Sequence, residues 1–469
     1  MGNIAISKKD IIWSYIAKTF QIGVSFFTLP FILHMLSAEE IGMNYLMITV
    51  SSLVILLDLG FSSQFSRNFT YVHSGAKQLQ KEGVRQSSDS EVNYRLLAVL
   101  LKTAKYVYSR LSVVCTFLML TAGTLYIYNV TDGFTNIKHS FWIWMIFCLS
   151  NYFNIYFLYY NSLLIGSGKI AESNKSIIYS RLVNIAISIS MLLLGYGLFS
   201  VVIAGLISPF VSRFYSYRIY YTKDLKLKLP NDIEKDEIKD VFSTIWYNSK
   251  KYGINCITAF CISKSGMFLI GLFLPLSVVG SYGLIINFIT ILQGIAQTLL
   301  ATYNPQLANY KVTNQREAYK ELMGMAFSVH WLIMLAGCAA ILFIAPWALD
   351  LINSQTSLPT LGVTLLIMLS ALLDSNQANF AGMILIDNKV PFVKSAIISG
   401  VLVVLFNYLL LKYTNLGLMS VVLAQFVVQL AYNNWKWPKV VLDEYNISFV
   451  SLMRLGARSL YGRIKPYFV

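Results

Sequence analysis

Long apolar runs separated by short polar gaps repeat from one end of the chain to the other. The runs reach about 20 residues or more and lack the two-residue alternation of a barrel strand. A bilayer core offers the backbone no hydrogen-bonding partner, so only helices or closed barrels cross it. The pattern therefore predicts an all-α integral membrane protein. Twelve spans are predicted, at 11–36, 41–66, 106–129, 140–165, 177–197, 199–217, 245–275, 279–303, 323–346, 359–384, 392–412 and 415–435. The first follows Lys8, Lys9 and Asp10 and is too long for a signal-peptide core, so it is expected to stay as a span.

Composition agrees with lipid as the main solvent. The chain has 469 residues, of which 56% are hydrophobic and 13% charged, about half the charged share of a soluble protein. Its 37 Lys and Arg against 22 Asp and Glu fall in alternate gaps: Arg67 to Lys105, Lys169 and Lys175, Arg213 to Lys251, Lys311 to Lys320, Lys389 and Lys394, and from Lys436 onward. The intervening gaps hold only Lys138 and Lys412. By the positive-inside rule this predicts a multi-pass membrane protein with both termini cytoplasmic. The basic residues are dispersed among spans and form no single patch on a soluble module, which excludes nucleic acid as a partner.

The outer gaps Leu36–Ile41, Tyr196–Ser200 and Pro275–Gly280 are little more than turns. They argue against an enzyme with a large outer catalytic loop, such as a polysaccharide polymerase or ligase. No Gly-rich phosphate loop, metal cluster or triad spacing occurs, so no catalysis, resident metal or cofactor is expected. Cys115, Cys148, Cys256, Cys261 and Cys338 all lie in predicted helices without ligand or redox spacing and read as packing residues.

Mixed charges around Pro230 mark residues 221–240 as a cytoplasmic linker between two halves, 1–220 and 241–438, followed by a basic amphipathic tail, 439–469, suited to the inner leaflet. Trp13 precedes Lys18 by five residues as Trp246 precedes Lys251, and the same offset sets Gln64 opposite Gln297. Six spans on either side of the linker, with these matches, predict two parallel six-helix bundles around a central polar cavity.

Several spans carry polar stripes at helical spacing: Ser14, Lys18, Gln21, Ser25 and Thr28 on the first, Asn44, Ser51, Asp58 and Ser62 on the second, and Arg181, Asn184 and Ser188 on the fifth. In the second half, Asn248, Lys251 and Asn255 mark the seventh span, Asn287, Thr290 and Gln297 the eighth, and Ser370, Asp374 and Gln377 the tenth. Polar groups in hydrocarbon cost several kcal/mol each, so such stripes face one another or water. Lys264 lies near the middle of the apolar run Ile254–Leu274. It is either half of a structural ion pair with Asp58 or Asp374, or a cation that meets an anionic substrate. On an ideal helix it stands half a turn from Asn255 and joins that stripe only where the helix bends, at Gly253 or Gly266. Lys18 and Lys251 lie nearer the cytoplasmic end and can snorkel. Asp58 and Asp374 are either ion-pair partners or proton carriers. Asn151, Asn154 and Asn161 read as interhelical glue, and His34 and His330 as packed or interfacial residues.

The stretch Leu57-Asp58-Leu59-Gly60-Phe61-Ser62-Ser63-Gln64-Phe65-Ser66-Arg67-Asn68, continuing into Tyr71-Val72-His73-Ser74-Gly75-Ala76, resembles the end of helix 2 and the following loop in bacterial O-antigen and other polysaccharide-repeat-unit flippases. These belong to the multidrug/oligosaccharidyl-lipid/polysaccharide exporter superfamily. The resemblance implies flipping of an undecaprenyl-pyrophosphate-linked oligosaccharide by alternating access, with no cofactor but with coupling to a proton or sodium gradient as one option. It also implies membrane lipids, a polysaccharide polymerase and a chain-length regulator as partners. Lys264, Lys18, Lys251 and Arg181 would meet the pyrophosphate, and Gln21, Asn248, Asn255 and Gln297 the sugar hydroxyls, while Asp58 and Asp374 would serve coupling. Lipid II flippases carry an Arg-Asp pair in helix 1 where this chain has Val24-Ser25. Multidrug antiporters of the superfamily commonly place an acid there, and this helix 1 has no Asp. A multidrug or other lipid-linked-substrate exporter is the alternative.

Overall fold

The computed structural model describes residues 13, 28–81, 91–230, 232–312, 315–385 and 391–464, and within these every regular element is a helix. In chain order they are α1 (Ala38–Leu56), α2 (Phe61–His73), α3 (Tyr94–Val130), α4 (Ser140–Tyr156), α5 (Tyr159–Gly166), α6 (Ile170–Leu193), α7 (Phe199–Tyr220), α8 (Lys223–Lys228) and α9 (Lys235–Phe273). They continue with α10 (Leu276–Val312), α11 (Arg316–Leu351), α12 (Leu361–Leu385), α13 (Val393–Tyr413), α14 (Leu418–Ala431), α15 (Asn433–Glu444) and α16 (Phe449–Ile464). Eight spans among the described residues are long and apolar enough to cross a membrane: α3, α4 with α5, α6, α7, the first part of α10, α11, α12 and α13. The chain is a multi-pass membrane protein.

These eight correspond to eight of the twelve predicted spans, and the other four differ for identifiable reasons. The span at 11–36 falls largely outside the described residues, with 28–35 helical. The span at 41–66 is interrupted at 57–60, where Leu59 and Gly60 take left-handed backbone angles (φ 47° and 76°). An apolar average over the window hides that break, because only the backbone senses it. The span at 245–275 falls on α9 and the two residues after it, and the described apolar part of that helix is the shorter stretch Phe260–Phe273. The span at 415–435 stops at Tyr432, which ends α14 and starts α15.

The chain forms two compact units, Met1–Phe260 and Cys261–Val469, with the boundary inside α9. In the first unit α6 packs on α7 through small hydroxyl residues: Ser176 Oγ lies 2.6 Å from Ser212 Oγ and 3.0 Å from Ser216 Oγ, and Ser180 donates to Ser208 O at 2.7 Å. Small side chains let helices approach closely when burial from water cannot drive association. The α2–α5 contact uses the same device. A Cβ at Gly166 would stand 2.5 Å from Ser66 O and Phe69 Cβ, and Ser162 donates to Ser62 O at 2.9 Å. The turn ahead of α1 is a capping box, with Ser37 N on Glu40 Oε2 (3.0 Å) and Glu40 N on Ser37 Oγ (3.2 Å). Glu40 Oε1 also accepts from Leu198 N at 3.1 Å, tying this turn to the one before α7.

In the second unit α10 packs on α11 with Gly337 against Leu292. A buried apolar cluster joins Tyr319, Met323, Phe327, Phe380, Trp437, Tyr445 and Leu452. Tyr319 and Tyr445 stack with centroids 4.6 Å apart. The tail helix α16 therefore does not present its whole apolar face to lipid. Leu452 is fully buried, Ser328 Oγ donates to Met453 O at 3.2 Å, and Gly456 meets Gly324 backbone to backbone.

Candidate functional site

The break at 57–60 places a carboxylate. Asp58 Oδ2 accepts from Ser62 N (3.1 Å) and Ser62 Oγ (2.8 Å) in the first turn of α2, and Oδ1 accepts from Tyr108 Oη on α3 (2.7 Å). A carboxylate at a helix N-terminus satisfies an otherwise orphaned N–H and complements the helix dipole. Asp58 is thus held by neutral donors. The left-handed Leu59 beside it packs on α9, where a Cβ at Gly253 would stand 2.5 Å from Leu59 Cδ2. Phe61 stacks on Phe242 and Trp246 of α9 with centroids 6.4 and 5.8 Å away. The motif that carried the resemblance is therefore a kink that docks on the mid-chain helix.

Of the remaining candidate residues, Arg181 lies exposed on α6 and makes no hydrogen bond or ion pair among the described residues. Lys18 and Gln21 lie outside the described residues, as do the side chains of Asn248, Lys251 and Asn255. Lys264 is half-buried on α9 and likewise has no hydrogen bond or ion pair among the described residues. Two residues further along, Gly266 faces α13 and α14: a Cβ there would lie 2.5 Å from Val421 Cγ1 and 3.8 Å from Asn407 Nδ2. Asn407 is fully buried, and neither of its amide atoms has a hydrogen-bond partner among the described residues. Buried amides are nearly always paired, so an unmet one marks a place for water or ligand. Gln297 is half-buried on α10.

Asp374 on α12 accepts from Gln425 Nε2 at 3.1 Å. Separate polar contacts lie in the same unit: His330 Nε2 lies 3.2 Å from Ser375 Oγ, Trp331 Nε1 donates to Asn376 Oδ1 (3.0 Å), and Asn433 Nδ2 donates to Ser399 Oγ (2.8 Å) and Gln429 Oε1 (2.9 Å). Gln425, Gln429 and Asn433 are absent from the expected site, although their four-residue spacing was visible in the sequence. Tyr108 is absent too, and nothing local marks it.

At the basic end of the first unit, His73 Nε2 lies 3.2 Å from Tyr220 Oη, and Lys169 Nζ donates to Ile219 O at 2.9 Å while lying over the Tyr220 ring. Burial, and then the charge of Lys169, push His73 down to about 4. Glu172 pairs with Lys175 at 2.7 Å and accepts from Tyr215 Oη. A mixed-charge cleft of about 380 Å³ lies nearby, lined by residues including Lys77, Asn93, Arg95, Glu237 and Asp240, with Arg95 Nε on Glu237 Oε1 at 2.9 Å. That exposed pair raises Arg95 and lowers Glu237 from their ordinary values, the hydrogen bond being the main cause in both.

The fold is shared with solved transporters. An inward-facing multidrug resistance MATE family transporter of the MOP superfamily superposes with a TM-score of 0.64 at 15% identity, over 91% of this chain and 95% of that one. The lipid II flippase MurJ in an inward closed conformation gives 0.63 at 12% identity, over 98% and 93%. A MOP superfamily transporter from Pyrococcus furiosus gives 0.53 at 14% identity, over 95% and 99%. No curated protein matches the chain. Residues 7–311, well over half of the sequence, match the family described as polysaccharide biosynthesis protein, and the chain belongs to that family.

Proposed function

We propose that the protein translocates an undecaprenyl-pyrophosphate-linked oligosaccharide, the O-antigen repeat unit, across the bacterial inner membrane by alternating access, with both termini cytoplasmic. The observation that carries this reading is Lys264, a cation on an apolar part of α9 with no anionic partner among the described residues. A half-buried charge on an apolar helix is costly unless something anionic meets it, and pyrophosphate is a compact multiple anion. The unmet amide of Asn407 near Gly266 adds hydrogen-bonding capacity beside the same helix. Lys18, Lys251 and Arg181 are assigned to guide the headgroup, and Gln21, Asn248, Asn255 and Gln297 to hold sugar hydroxyls. The polyprenyl chain stays in lipid. Family membership supports polysaccharide assembly as the setting, with the polymerase and chain-length regulator acting on the product.

The test is complementation of a strain lacking its own repeat-unit flippase. Wild type restores surface polysaccharide, Lys264→Ala at equal expression reduces it at least tenfold, and Lys264→Arg keeps more activity than Ala. Undiminished polysaccharide with Lys264→Ala would falsify the assignment. An altered drug-susceptibility profile without any polysaccharide effect would favour multidrug export.

A further inference from the structure

α3 buries one face and exposes the other. Leu97, Leu100, Leu101, Ala104, Val107, Tyr108 and Ser112 are buried, whereas Lys102, Lys105, Tyr106, Arg110 and Val113 are exposed. The exposed set recurs at three and four residues and lines, with Ser109, a groove of about 390 Å³. Arg110 lies over the Tyr106 ring, 5.5 Å from its centroid, which holds the guanidinium along the groove. No Asp or Glu occurs between Tyr94 and Val130, so the stripe is purely cationic along its own helix.

The same face continues as Val113, Phe117, Leu120 and Tyr128, exposed by 55, 64, 46 and 52%. From Leu111 to Val130 the helix rises about 30 Å, the thickness of the hydrocarbon core. Arg110 therefore stands at the edge of the acyl region, with Lys105 and Lys102 about 7 and 12 Å farther out, at headgroup depth and beyond. Positive charge at headgroup depth, followed without a break by apolar side chains along the acyl region, matches one molecule from phosphate to chain end.

The geometry points to this groove as a binding site for an anionic phospholipid of the inner leaflet, its phosphate held by Lys105 and Arg110 with Ser109 and Tyr106 beside it, its acyl chain along Val113 and Phe117. A soluble polyanion has no use for the apolar continuation, and a neutral lipid has none for the cations. The assignment is independent of what the protein transports, and only the name of the leaflet rests on the proposed orientation.

The experiment is native mass spectrometry of the purified full chain titrated with phosphatidylglycerol or phosphatidylcholine. Wild type binds phosphatidylglycerol in preference, and each cation removed in Lys105→Gln and Arg110→Gln lowers that preference about fivefold. Lys138→Gln, at the opposite end of the span, leaves it unchanged, and the charge-preserving pair Lys105→Arg with Arg110→Lys retains it. Equal binding of the two lipids by wild type overturns the proposal, as does an undiminished preference in the double Gln variant. Displacement of phosphatidylglycerol by inorganic pyrophosphate also overturns it, by assigning the cations to a headgroup path. If the double Gln variant does not fold, Arg110→Gln alone and the charge-preserving pair decide the matter.

Discussion

Tyr108 Oη donates to Asp58 Oδ1 at 2.7 Å while Asp58 Oδ2 accepts twice from Ser62, so one carboxylate joins the first turn of α2 to the middle of α3. The pair fixes the kink from which Leu59 and Phe61 reach α9. Both carboxylate oxygens are occupied by neutral donors, which makes Asp58 a structural acceptor at the start of α2.

Tyr108→Phe is therefore expected to destabilise the protein by about 1–3 kcal/mol, because it leaves a charged acceptor short of a donor. Asp58→Ala should cost more, since it removes the acceptor for Ser62 N as well. Thermal midpoints of the purified protein, read by fluorescence-detected size exclusion after heating, check both. A Tyr108→Phe protein as heat-resistant as wild type would show that the bond contributes nothing.

Gly456 and Gly324 permit the tail helix to sit on α11. A Cβ at Gly456 would lie 2.0 Å from Gly324 O, and backbone cannot yield as a side-chain end can. Gly456→Val is expected to detach α16 and expose it to protease, or to abolish stable expression. Gly382→Ala is the contrasting change: a Cβ there meets nothing within 4 Å, and the helical position predicts neutrality or a gain of up to about 1 kcal/mol. Limited proteolysis with a C-terminal tag gives the readout, and a Gly456→Val protein with wild-type protection would refute the close-contact account.

Sequence reading recovers what depends on local composition. The eight long spans are properties of a window of neighbours. The break at Leu59-Gly60 escapes a hydropathy average because it lies in backbone angles, although Leu-Asp-Leu-Gly contains a capping acid and a glycine. Tyr108 meeting Asp58, and Gln425 meeting Asp374, are pairings across 50 and 51 residues that only packing creates. The Gly456–Gly324 contact is invisible for a further reason: glycine carries no polar signal, and its meaning lies in the space that it leaves.

His73 gives the stability a pH dependence at the acid side. Its folded value of about 4 lies below the ordinary 6.5, so between these values the unfolded chain binds more protons and stability falls as pH falls. The loss begins near pH 6.5, reaches roughly 2 kcal/mol by pH 5 and levels off near pH 4. His73→Gln keeps a hydrogen-bonding group toward Tyr220 without the titration and should flatten the decline. Thermal midpoints of both proteins at pH 7.5 and 5 check this, and parallel declines would exclude His73 as the cause.

Asp374 differs from Asp58 in a way that bears on coupling. Asp374 accepts from the Gln425 amide at 3.1 Å, and among the described residues no lysine or arginine pairs with it. An amide can turn its carbonyl to a protonated carboxyl and its NH₂ to an ionised one, so Gln425 accommodates both states, whereas the backbone N–H of Ser62 at Asp58 accommodates only the acceptor. If transport is coupled to protons, Asp374 is expected to load and release them. In proteoliposomes with an imposed pH gradient, Asp374→Asn is expected to flip lipid-linked oligosaccharide at a rate insensitive to the gradient, while Asp58→Asn keeps the wild-type response at reduced heat resistance. Gln425→Leu removes the accommodating amide and should weaken the response without abolishing it. A full gradient response in Asp374→Asn would exclude that carboxylate as the carrier, and a wild-type protein indifferent to every imposed ion gradient would leave downhill flow, drawn by polymerisation on the far side, as the driving force.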